Sequence, residues 1–135
     1  MSTKHLLILT ILAVSISFAA RAQQSSSVSV VLAAQNGSGK SGKAVITTAG
    51  SKKTRVTVTM QDSGDYPAGI YLGVCSDMGG PAYQLSKVVK GKSTTELAVD
   101  FSSFQPSSNG SRPLAVNVGP NSSSVACGDF MASAQ

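Results

Sequence analysis

The stretch KAVITTAGSKKTRVTVTM, Lys43 to Met60, decides the fold class. KAVITTA (Lys43–Ala49) and TRVTVTM (Thr54–Met60) alternate with period two and are rich in Val, Ile and Thr. That pattern suits a strand with one buried face, and β-branched side chains pack well on a pleated surface. AGSKK between them is turn punctuation. The pair reads as two short strands joined by a tight connection.

The same pattern runs outward in both directions. SVSVVLAA (Ser27–Ala34) precedes the pair. AGIYLGV (Ala68–Val74), YQLSKVV (Tyr83–Val89), STTELAV (Ser93–Val99), PLAVNV (Pro113–Val118) and SSVACGD (Ser123–Asp129) follow it. Gly, Asn, Ser and Pro punctuate the intervals NGSGKSG, DSGDYP, DMGGP, KGK, PSSNGSRP and GPNS, which read as turns. About eight short strands at fairly even spacing predict an all-β, antiparallel sandwich or barrel. The longest connection, Phe101 to Pro113, suits a crossover between sheets in a Greek key.

The N-terminus carries a different signal. Lys4 and His5 precede an apolar run from Leu6 to Ala20, and ARA (Ala20–Ala22) is an A-x-A cleavage site. This is the layout of a secretory signal peptide over residues 1–22. The run, about 15 residues, is short of the roughly 20 that span a bilayer. Residues 23–27 read as a flexible leader and 28–131 as one domain. The expected location is secreted or periplasmic, with no membrane span after cleavage.

Cleavage also removes Lys4 and Arg21, leaving nine basic against six acidic side chains, a net +3. Lys52, Lys53 and Arg55 form one cluster, and Lys87, Lys90 and Lys92 another. Lysines at strand ends solvate exposed edges, and a weak attraction to an anionic envelope surface is the further expectation. Basic residues are not interleaved with aromatics, which argues against nucleic acid. The two cysteines, Cys75 and Cys127, predict one structural disulfide in an exported chain. A loop of that size stabilises by about 4 kcal/mol in the chain-entropy model.

Several chemistries are excluded by residue type. Ala34 to Ser41 spells a relaxed phosphate loop, A-x-x-x-x-G-K-S. Its mechanism needs a helix after the loop, but GKAVITTAG follows and reads as a strand. No nucleotide is expected there. Gly37 and Gly39 instead supply positive φ for a hairpin connection, with Lys40 facing solvent. The sole histidine is His5, inside the signal segment. The mature chain therefore has no Ser-His-Asp triad and no histidine ligand for zinc or copper. Asp62 and Asp65 lack the spacing of a calcium loop and read as a turn. The sequons at Asn36, Asn109 and Asn121 matter only in a eukaryotic secretory pathway.

The second half of the chain resembles secreted copper/zinc superoxide dismutase-like domains. PAGIYLGVCSDMGGPAYQL (Pro67–Leu85) is similar to a P-A-H-I-H-x-G-x-C segment followed by a Gly/Pro turn. KGKSTTEL (Lys90–Leu97) resembles the next strand. LAVNVGPNSSSVACGDF (Leu114–Phe130) resembles an ending in which I-N-V-H leads to V-A-C-G-D. The resemblance implies a Greek-key sandwich of eight strands and places both cysteines at the family's disulfide. It also shows what is missing. Gly69 and Tyr71 stand where the family carries two metal-ligating histidines, and Gly119 stands at a third. Ser124 replaces the arginine that guides superoxide.

The expectation is an exported, non-catalytic domain with a binding or structural role, no cofactor, and an unknown protein or envelope-surface partner. The alternative is a metal-handling or superoxide-protective protein. Its unconventional site would use Asp77, Met78 and Tyr71, or a histidine from a partner chain, with Ser124 a further contact residue. A third reading is a surface module binding through a strand face or the Phe101–Pro113 loop.

Overall fold

The computed structural model describes residues 27–104, 113–120 and 122–130. The expected signal segment and most of the leader lie outside the described residues, as do Asn109, Asn121 and the end of the chain. The period-two segments become eight strands: β1 (Ser27–Ala34), β2 (Gly42–Gly50), β3 (Lys53–Met60), β4 (Ala68–Val74), β5 (Asp77–Gln84), β6 (Lys92–Leu97), β7 (Leu114–Val118) and β8 (Ala126–Asp129). A short 3-10 helix, Phe101–Phe104, follows β6. All pairings are antiparallel, in the spatial order β5-β4-β7-β8-β1-β2-β3-β6.

The register explains how alternation becomes a core. Val30, Ala44, Val58 and Ser93 are partners across β1, β2, β3 and β6, and all four are buried. Ile46 and Val56 lie in the next inward row. From the other end of the order, Ile70 on β4 and Val116 and Val118 on β7 join the same cluster. Phe101 and Phe104 close it from the 3-10 helix. One core fed from both ends of the order requires a curled sheet. Each fully buried Val, Leu, Ile or Phe contributes about 1.5–3 kcal/mol.

The two ends of the sheet approach each other just after β5. The Ser86 amide donates to Thr95 Oγ1 on β6 at 2.8 Å, and Ser93 Oγ donates to the Ser86 carbonyl at 2.7 Å. Buried hydroxyls are thereby partnered, as burial of a polar group demands. Thr54, fully buried, likewise donates to the Val99 carbonyl at 2.7 Å.

The disulfide joins Cys75 and Cys127 with Cα atoms 5.9 Å apart. It ties the two-residue turn between β4 and β5 to β8. Close by, β8 pairs antiparallel with β1. A Cβ at Gly128 would collide with the Val31 carbonyl and the Val30 side chain, so only glycine permits so close an approach.

One segment departs from the expectation. DMGGP was expected as a turn and Tyr83–Val89 as a strand, but β5 begins at Asp77 and ends at Gln84. It occupies an end of the sheet order, and its ladder with β4 is irregular on both sides of Tyr71. Glycine and proline are tolerated at such edges and bulges. Beyond it, Val88 and Val89 make only isolated bridges, to Tyr66 and Lys92.

Candidate functional site

The ligand positions of the resembling family fall on β4 and just after β7. Gly69 on β4 is the cross-strand partner of Asn117 on β7, and Tyr71 is the partner of Ala115. Gly119 follows β7, and its amide donates to the Pro67 carbonyl at 2.8 Å, just before β4. The fold thus brings Gly69 and Gly119 to one end of the β4–β7 pair. The Tyr71 ring folds back over Gly69, where a Cβ would meet it at 3.1 Å.

The chemistry of this place is closed by its own hydrogen bonds. Asn117 is fully buried; its Oδ1 accepts a short bond from Ser124 Oγ, and its Nδ2 donates to the Gly119 carbonyl at 3.3 Å. Gly119 has φ +108°, and a Cβ there would lie 2.8 Å from the Val125 amide nitrogen. A larger residue at 119 therefore has neither an allowed backbone nor space. Copper and zinc are held mainly by imidazole, thiolate or carboxylate donors converging on one point. No group of three His, Cys, Asp or Glu side chains is gathered among the described residues. The residues here do not fit the metal that the resemblance implies.

The other residues singled out from sequence lie elsewhere. Asp77 and Met78 pair with Val74 and Gly73, at the far end of β4 from Ser124. Met78 Sδ lies 4.0 Å from Cys127 Sγ, so it packs against the disulfide. Asp129 Oδ1 accepts from the Cys75 amide at 2.7 Å and so fixes the turn that carries the bridge. An open groove of about 400 Å³ borders the bridge, lined in part by Ser29, Val31, Ala33 and Asp129.

The phosphate-loop mimic is a connection between β1 and β2. Asn36, Gly37 and Gly39 all take positive φ, at 53°, 69° and 65°. Strand β2 follows, so no helix N-terminus faces the loop. Lys40 is not simply solvated, however. Its Nζ donates to Tyr66 Oη at 2.7 Å, and Tyr66 donates in turn to Asp62 Oδ2 at 2.5 Å. The Tyr66 hydrogen bond holds the Asp62 carboxyl below its ordinary range. This chain of bonds clasps the β1–β2 loop to the β3–β4 loop.

No family model, curated protein or solved structure matches this chain. Asn117 and Ser124 both stand in the segment that carries the resemblance, but the bond between them is visible only in the fold. The outer residues of β2, β3 and β6 are legible in the sequence, because period-two alternation separates them from the core.

Proposed function

We propose that this chain is an exported, non-catalytic β-sandwich domain, Greek-key connected and superoxide dismutase-like, with a binding or structural role. The strand order supports the architecture. β3 pairs with β6 and β4 with β7, each skipping the two strands between them in sequence, as Greek keys do. A single disulfide supports an oxidising compartment, in keeping with the apolar run Leu6 to Ala20.

One observation carries the non-catalytic reading. Where the resembling domains gather metal-binding histidines, this chain packs Gly119 against Val125 and bonds Asn117 to Ser124. Dismutation cycles a redox metal, and no donor set for one is present at those positions. What remains is a rigid scaffold whose exposed surfaces are available for binding. Metal content and dismutase activity of the purified, oxidised chain test the reading; stoichiometric metal with activity would overturn it.

A further inference from the structure

The outer face of β1, β2, β3 and β6 is built from aligned rows. Val31, Lys43, Thr59 and Lys92 are successive cross-strand partners, and Val89 bridges to Lys92 beyond them. All five are exposed. The next row outward is Ser29, Val45, Thr57 and Thr94, and the third is Ser27, Thr47, Arg55 and Glu96. Lys43 and Lys92 flank Thr59, two strand spacings or about 10 Å apart. Lys87, two residues before Val89, is also exposed.

This face is hydroxyl-rich and carries excess positive charge. Its one carboxylate, Glu96, is held by Arg55 at 2.7 Å. Among the described residues, Lys43, Lys87 and Lys92 make no ion pair. We propose that this face binds an acidic polysaccharide, a polymer of hydroxyl-bearing rings with repeated carboxylates. Ammonium groups pair with the carboxylates, and threonine and serine hydroxyls both donate to and accept from sugar hydroxyls. A regular sheet surface suits a regular polymer.

The charge complement alone would also fit a lipid headgroup surface or a nucleic acid, but the rest of the face does not. Firm interfacial binding draws on buried apolar area as well as charge. The exposed large apolar residues among those described are Val31 and Val89, at opposite ends of one row. Single-stranded nucleic acid is held by aromatic stacking, and the rows contain no aromatic residue.

The proposal rests on the binding reading above. A chain that carries no metal yet ignores acidic glycan would keep that reading and lose this one. The test uses the full oxidised chain with alginate, a polyuronate, at low salt. Neutral dextran, equimolar phosphatidylglycerol–phosphatidylcholine vesicles and oligo-dT serve as competitors. Binding to alginate is expected, weakening as salt screens the charges. The double variant Lys43→Gln/Lys92→Gln loses about tenfold in affinity, as expected for two exposed ion pairs. The charge-matched variant Lys40→Gln/Lys52→Gln stays within about twofold of the parent. Absence of alginate binding, equal weakening in both variants, or tighter binding to dextran, vesicles or oligo-dT overturns the proposal.

Discussion

Gly119 and Val125 compete for one space: a Cβ on Gly119 would lie 2.8 Å from the Val125 amide nitrogen and 3.0 Å from its Cγ2. The Val125 amide is itself committed, donating to the Val118 carbonyl at 2.8 Å. Neither partner can yield without opening the connection between β7 and β8. Gly119→Ala should therefore cost about 2 kcal/mol or more, since strained φ and overlap add. Urea unfolding measures it; a cost near zero would show that this connection moves freely.

The disulfide closes a separation of 52 residues. The double variant Cys75→Ser/Cys127→Ser should lose about 4 kcal/mol in the chain-entropy model. The loss should be read against the reduced parent, which should behave like the variant. If reduced and oxidised parent share one unfolding midpoint, the bridge contributes nothing.

The Lys40–Tyr66–Asp62 chain predicts a pH dependence of known sign. The folded pKa of Asp62 lies below its ordinary value of 3.8, first through the Tyr66 hydroxyl and then through the Gly64 amide. A depressed folded pKa gives stability that is complete above the unfolded value and lost as pH falls through the folded one. Tyr66→Phe should therefore differ most from the parent at neutral pH, the gap narrowing below 3.8. A gap independent of pH would place the effect in packing and not in the carboxylate.

Phe104 is 1% exposed, with ring centroids 5.3 Å from Tyr83 and 6.0 Å from Phe130. Phe104→Ala should cost about 3–5 kcal/mol by loss of transfer energy and an unfilled cavity. Val31, 76% exposed on the outer face, sets the contrast. Val31→Ala should change stability by no more than about 0.5 kcal/mol. Comparable costs at the two sites would refute the assignment of inner and outer faces.

Much of the fold was legible because period two is a local property. β1 and β4 match their expected bounds, Ser27–Ala34 and Ala68–Val74. The cysteine pairing was legible because two cysteines allow one bridge. Local reading failed at β5, where Gly79, Gly80 and Pro81 imitate a turn but sit on an edge whose neighbour tolerates irregular pairing. It also failed at Lys40, whose partner Tyr66 is 26 residues away and is brought there only by the sheet. The absence of ligands at 69, 71 and 119 could be read from sequence. The filling of their place by Asn117, Ser124 and Val125 could not, because it depends on how β7 and β8 meet.

In the proposed reading the scaffold is complete without a metal. The most direct measurement is calorimetric titration of the purified, oxidised chain, from which residues 1–22 have been removed, with copper and zinc. Superoxide dismutation is then assayed on the same sample. The expected result is no stoichiometric tight site for either ion, no metal-dependent shift in unfolding midpoint, and no dismutation above free metal. One tightly held copper per chain, with dismutase activity that follows its occupancy, would contradict it.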